Sequence, residues 1–410
     1  MPDRWVVVSL DGLAAAALSG YGSSWNDTPA MDRMAAYGTV WDRLIVPSDD
    51  SIQVLKNFWS QSVGAQPWLS ACQESGRVEL FLNSGVQAIQ LAQLAGALGF
   101  DQCTLVEAIP EGSTELPESE EVEETALAKL LLPVLERLGD TVAENSKDWS
   151  VLWVHSDTLT RCWDAPRSLF PIDDEEDFDE APVDQIDWSL EDFEQDSAPG
   201  SGQDVNEPTT AKPPPLFSGT LVPYFAIPPA AHPDLVTSWM QTYGCQVRLL
   251  DRLLELLLDV IEPADGNIGL AVIGISGFSL GQNGWIGHRA GAIRSPQIHV
   301  PAILWDGQGL GIRVSGIRAV AEVAPWLRPI RDPQQAIRPE PADWANEELS
   351  RLSAIRTDSL RADCVLTTNE WFFVREANRS SLFLKPDDRD DSNDIADRCR
   401  EVVDELESLP

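Results

Sequence analysis

The sequence predicts an α/β fold, a mainly parallel sheet held between helices, on three observations. The runs 5–10, 149–155, 268–275 and 300–305 are apolar through their whole length, the pattern of strands buried on both faces. The segments between them carry apolar residues at helical spacing, so strand and helix alternate along the chain. After about residue 345 the pattern changes to a short hairpin and a last helix. This predicts a small C-terminal α+β subdomain over 346–410, beside a main domain over 1–345.

The elements follow in order. Residues 5–10 are β-branched and aromatic and stop at Asp11-Gly12, a strand ending in a turn. Thr28 as N-cap, Pro29 at the first helical position and Gly38 as the stop predict a short helix through Met31 and Met34. Helical spacing returns at 86–98 and 125–138, the latter approached through an acidic, proline-bearing surface loop over 110–124. The strand 149–155 ends at His155. The longest helix, 234–261, aligns Val247, Leu250, Leu253, Leu254, Leu257 and Leu258 on one face. The strand 268–275 leads into Ser276-Gly277, and 300–305 follows. Near the end, 370–375 and 380–385 form a hairpin, and a helix starts at Ser392. Ligands collect beyond the carboxyl ends of parallel strands, so Asp11, His155 to Asp157 and Ser276 to Gly277 are where chemistry is expected.

Composition narrows the function. With 29 basic and 66 acidic side chains in 410 residues, the net charge is −37. Such a chain repels phosphate backbones and anionic lipid, which argues against nucleic acid and membrane partners. Handling an anion would require a local positive site, supplied by a metal ion or a few placed Arg, Lys or His. Residues 173–215 read as a disordered acidic insertion. The stretch 173–196 alone holds thirteen acids and no base, and −37 without those thirteen is −24. Its Phe178, Trp188, Leu190 and Phe193 fit either a solvated loop or a short motif for a protein partner. The six cysteines form no C-x-x-C pair and read as buried thiols of a reducing compartment, and the first apolar run is too short for a signal peptide. A cytoplasmic location is expected.

Several stretches, in order, resemble the sulfatase family of the alkaline phosphatase superfamily. VVVSLDGL and LSGYGSSWNDTPAMDRMAAYGTVWDRLIVPS are similar to its first strand, Gly-Tyr-Gly turn, Thr-Pro-x-x-Asp-Arg helix and the segment leading to the nucleophile loop. LWVHSDTLTRCWDAP resembles a strand ending in a histidine-bearing loop. GFSLGQNGWIGHR with HVPAILW resembles the metal-ligand strand end and its following strand, and LFLKPDDRDDSNDIADRC the C-terminal segment. The resemblance implies an alkaline-phosphatase-like/sulfatase fold and hydrolysis of sulfate esters. It also implies a calcium or other divalent ion held by carboxylates, with a formylglycine made from Cys or Ser in a C/S-x-P-x-R motif.

Position by position, the resemblance gives a mixed result. Asp11 matches a metal carboxylate or is simply an Asp-Gly turn, and the neighbour that is often a second acid is Gly12. Ser51 falls at the nucleophile position. The proline and arginine of the motif are absent from Ser51-Ile-Gln-Val-Leu55, so conversion to formylglycine is not expected. Lys56 is one residue beyond the missing arginine, and Asp49 and Asp50 sit unhelpfully beside an anion site. His155 reads first as a hydrogen-bonded strand-end histidine and second as a catalytic one; five residues on, where the family commonly has histidine, stands Thr160. Ile275 and Ser276 occupy the place of an Asp-His metal pair. His288, followed by Arg289, matches a sulfate-contacting Lys or His, or is a surface loop.

Two functions remain in view. One is a pseudo-sulfatase that keeps the scaffold without metal binding or hydrolysis and serves as a binding or regulatory protein, for a protein partner or a sulfated small molecule or glycan. The other is an active metal-dependent sulfuric or phosphoric ester hydrolase whose altered site comprises catalytic Ser51, His155, His288 and Arg289 with Asp11 as metal ligand.

Overall fold

The computed structural model describes residues 2–63, 65–109, 116–144, 146–170, 216–229, 231–262, 268–307, 309, 311–330, 354–377 and 379–409. The insertion 173–215 and the boundary expected near 345 lie outside the described residues.

Among the described residues the main sheet has nine strands: β1 (Arg4–Leu10), β2 (Thr39–Ile45), β3 (Arg77–Asn83), β4 (Gln102–Val106), β5 (Trp149–Ser156), β6 (Ile268–Gly274), β7 (His299–Val300), β8 (Ala302–Trp305) and β9 (Ile312–Ala319). Their order across the sheet is β7-β2-β8-β6-β1-β5-β3-β4, with β9 added on β2. β1 lies at the centre, parallel to β5 on one side and β6 on the other. Parallel pairing continues from β5 through β3 to β4 and joins β9 to β2, whereas β8 runs antiparallel to both β6 and β2. The expected strand 300–305 is split because Pro301 lacks an amide hydrogen; its carbonyl still accepts from Gly274.

Helices cover both faces, as the wholly apolar strands require. Val6, Val8 and Leu10 point into a core shared with α1 (Pro29–Tyr37), α4 (Ala126–Glu144) and α5 (Pro233–Ile261). Trp5 and Val7 point the other way, toward α2 (Ser51–Trp59) and α3 (Val86–Leu98). That second core centres on Trp153, which meets Phe58, Trp59 and Trp68 edge-on at centroid distances of 5.1, 5.8 and 5.6 Å. Among the described residues no helix is long and apolar enough to cross a membrane.

Beyond the main sheet, β10 (Ile355–Arg356), β11 (Cys364–Thr367), β12 (Trp371–Glu376) and β13 (Arg379–Leu384) form a small antiparallel sheet. The expected hairpin is β12–β13. The last helix, α6 (Arg400–Glu407), starts later than Ser392. The reason is local: Asp388 accepts the amides of Ser392 and Asn393, and Asp394 those of Leu382 and Ala396, so these carboxylates hold turns where a helix was expected. Ile395, Cys399, Val402, Val403 and Leu406 still pack on one small core.

The start of α1 also differs from expectation. The Thr28 hydroxyl makes no cap; it bonds Ser19 at 2.6 Å. The first amides of α1 are instead taken by Asp251 of α5, which accepts from Ala30 at 3.1 Å and Met31 at 2.8 Å. Asp251→Ala leaves those buried amides unsatisfied and should cost about 2 kcal/mol in denaturant melts, with Asp251→Asn recovering part of the loss.

Candidate active site

Three elements converge beyond the carboxyl ends of β1, β5 and β6. β1 delivers Asp11, whose amide is fixed by the Ser156 carbonyl at 2.9 Å. β6 delivers Ile275, whose amide donates to the Leu10 carbonyl at 2.8 Å, and then Ser276. Ser51 is the first residue of α2, with Asp50 as its N-cap accepting from the Ile52 amide at 3.0 Å. Asp50, unhelpful on the sequence alone, thus starts the helix that presents Ser51.

Asp11 is the hub. Its Oδ1 accepts from Ser51 Oγ at 2.5 Å and from Ser276 Oγ at 3.2 Å. Its Oδ2 faces Gln87 Nε2 at 3.5 Å and His155 Nε2 at 3.9 Å. Arg289 Nη2 donates to Ser51 Oγ at 2.7 Å, and His288 Nε2 lies 2.8 Å from Ser276 Oγ, which also accepts the Gly12 amide at 2.9 Å. The five sequence-predicted residues Asp11, Ser51, His155, His288 and Arg289 therefore form one network. Lys56 is exposed on α2, and Leu55, at the position of the motif's arginine, is buried in the core around Trp153.

The electrostatics follow from burial and contacts. Burial pushes the Asp11 carboxyl up, but His155, His288, the Ser51 hydroxyl and Arg289 together outweigh it and hold the group below the usual carboxylate range. Burial, with help from Arg289 and Arg361, pushes His288 down to about 4 against the pull of Asp11 and Asp49, so it is neutral at pH 7. His155 Nδ1 lies 3.1 Å from Ser9 Oγ, which also accepts the Trp153 indole N–H at 2.8 Å. The His155 Nε2, aimed at Asp11, has no hydrogen-bond partner.

Residues absent from the sequence reading complete the support. Arg361, from the loop between β10 and β11, donates to the Arg289 carbonyl at 2.9 Å and pairs with Asp49 at 3.2 Å. It holds Arg289 in a left-handed backbone conformation, φ 55°. Arg361 stands 72 positions from Arg289 with no motif to link them, so only the fold reveals it.

A divalent ion does not fit these residues. Asp11 is the one carboxylate in the network, its Oδ1 is taken by two hydroxyls, and a guanidinium stands on the far side of Ser51. Ile275 is fully buried in an apolar core, and a hard cation needs about six oxygens. Among the described residues no group of three or more His, Cys, Asp or Glu is placed to hold a metal. Gly12 has φ 78°, and a Cβ there would stand 2.6 Å from Thr160 Cγ2.

No family model and no curated protein matches the chain by sequence. Solved structures do match. The phosphonate monoester hydrolase of Agrobacterium radiobacter superposes with a TM-score of 0.61 at 14% identity, over 99% of this chain and 94% of that one. A 2-O GAG sulfatase gives 0.61 at 13%, over 100% and 91%. A structure in complex with its substrate D-glucosamine-2-N,6-O-disulfate gives 0.59 at 16%, over 99% and 97%. The fold is that of the alkaline phosphatase superfamily. Within it, the structures that this chain is similar to include sulfatases.

The neutral, buried His288 makes a signed prediction. Its ordinary value of 6.5 applies unfolded and about 4 folded, so between pH 6.5 and 4 the unfolded chain binds the extra proton and stability falls as pH falls. Across that window wild type should lose more of its melting temperature than His288→Gln. Parallel melting profiles would show that His288 does not titrate this way.

Proposed function

We propose that this chain is a divergent member of the sulfatase family that has given up metal-dependent hydrolysis and works as a binding protein. The observation that carries the reading is the state of Asp11. Oδ1 of the carboxylate that would hold a divalent ion is instead taken by Ser51 and Ser276, and the positive charge of Arg289 stands beyond Ser51. A guanidinium supplies charge and directed donors, but it cannot generate hydroxide from a bound water as a metal does. Ser51 and Asp11 are 1% and 2% exposed, so a substrate would have to break the network to reach the hydroxyl.

The ligand class we favour is a sulfated saccharide, supported by the disulfated glucosamine bound in one structure of the same fold. The thirteen acids of 173–196 suit a protein partner, and six cysteines that form no disulfide among the described residues agree with a reducing, cytoplasmic setting.

A second reading has one observation in its favour. Ser51 Oγ has a carboxylate at 2.5 Å to take its proton and a guanidinium at 2.7 Å, the components of an activated serine nucleophile in an ester hydrolase.

Calcium titration and turnover of aryl sulfate and aryl phosphate separate the two. The expected result is no stoichiometric calcium and no turnover above that of Asp11→Ala. Calcium binding with turnover that disappears in both Asp11→Ala and Ser51→Ala would establish the hydrolase.

A further inference from the structure

A cavity of about 760 Å³ opens between the Gly-Tyr-Gly turn near residue 21, strand β2 and the segment after β13. None of its lining residues belongs to the Asp11 network. Its walls carry Arg43, Arg313, Lys385, Arg389 and His299 against the single carboxylate of Asp42. In a chain of net charge −37 this concentration of cations runs against the global balance.

Two of the cations are compensated. Arg313 pairs with Asp42 at 2.8 Å, and Lys385 with the buried Asp391 at 2.5 Å. The other two are not. Arg43 donates to the carbonyls of Asn369 and Thr368 at 2.6 and 2.9 Å, and Arg389 to the Tyr21 carbonyl at 2.5 Å. Neither meets a carboxylate among the described residues. Each guanidinium has five N–H donors, so anchoring by carbonyls leaves donors on both for a ligand. His299 reports the same field: burial first, then Arg389, Arg43 and Lys385, push it down to about 4, against the hydrogen bond with the Asp42 carbonyl.

We propose that this cavity is a binding site for a small polyanion, a molecule bearing at least two phosphate, sulfate or carboxylate groups, with Arg43 and Arg389 as its anchors. Guanidinium groups match the oxygens of such groups in paired hydrogen bonds. The volume is that of a small-molecule pocket, which excludes a polymer bound along its length. The proposal is independent of whether the Asp11 network binds or hydrolyses anything.

Calorimetric titration of the full chain with pyrophosphate, D-glucosamine-2-N,6-O-disulfate and citrate tests it and identifies which anionic group is preferred. The expected result is saturable binding of at least one probe, weakening as salt is raised. Arg389→Gln and Arg43→Gln should each lower the affinity about tenfold or more, the scale of one charged hydrogen-bond pair, while Arg400→Gln on the exposed face of α6 leaves it unchanged. Arg389 is exposed, so its variant reads binding even if Arg43→Gln unfolds the C-terminal junction. Binding that is lost in Arg289→Gln but kept in Arg389→Gln would move the ligand to the Asp11 network and overturn the proposal. Failure of all three probes to bind at millimolar concentration would also overturn it.

Discussion

A carboxylate buried at the end of the central strand has to be compensated, and the rest of the site is arranged around that requirement. Asp11 sits between β5 and β6, where water is excluded and a lone negative charge would be strongly disfavoured. The compensation comes from protein: two hydroxyls that donate to Oδ1 and a guanidinium one hydrogen bond further out, with the imidazoles of His155 and His288 close by. Each of these groups is delivered by a different part of the chain. The β1 turn, the α2 N-terminus, the end of β5 and the 276–289 loop therefore have to be in place together before Asp11 can be charged.

This explains what was legible in the sequence. β1, β5 and β6 are central strands, and their uninterrupted apolar runs identified them and hence the strand-end residues Asp11, His155 and Ser276. β2 and β3 were not recognised because charged residues interrupt them: Asp42 and Arg43 in β2, Arg77 and Glu79 in β3. Glu79 is buried, yet Arg137 pairs with it at 3.3 Å, a compensation made by a helix 58 residues away. The same limit applies at the site. Ser51, His288 and Arg289 lay inside ordered stretches of family resemblance and were found. Arg361, Ser9 and Gln87 act only through contacts distant in sequence, and no local pattern marks them.

The charge distribution gains resolution in the same way. Thirteen acids of the excess belong to 173–196, and the cavity beside β2 gathers four cations against one lining carboxylate. A single net charge describes neither region. Long-range repulsion of anions by the whole molecule can coexist with short-range attraction at one cavity because charges gathered within a few ångströms act inside the screening length.

Gly12 and Thr160 together set what the end of β1 can accept. The methyl of Thr160 occupies the space a side chain at 12 would need, and the backbone there is in a region that disfavours any side chain. An acid at 12 would therefore require a change at 160 and a different turn, and a polar side chain at 275 would have to be fitted into a filled core. Packing at this strand end thus resists the addition of further metal ligands one residue at a time.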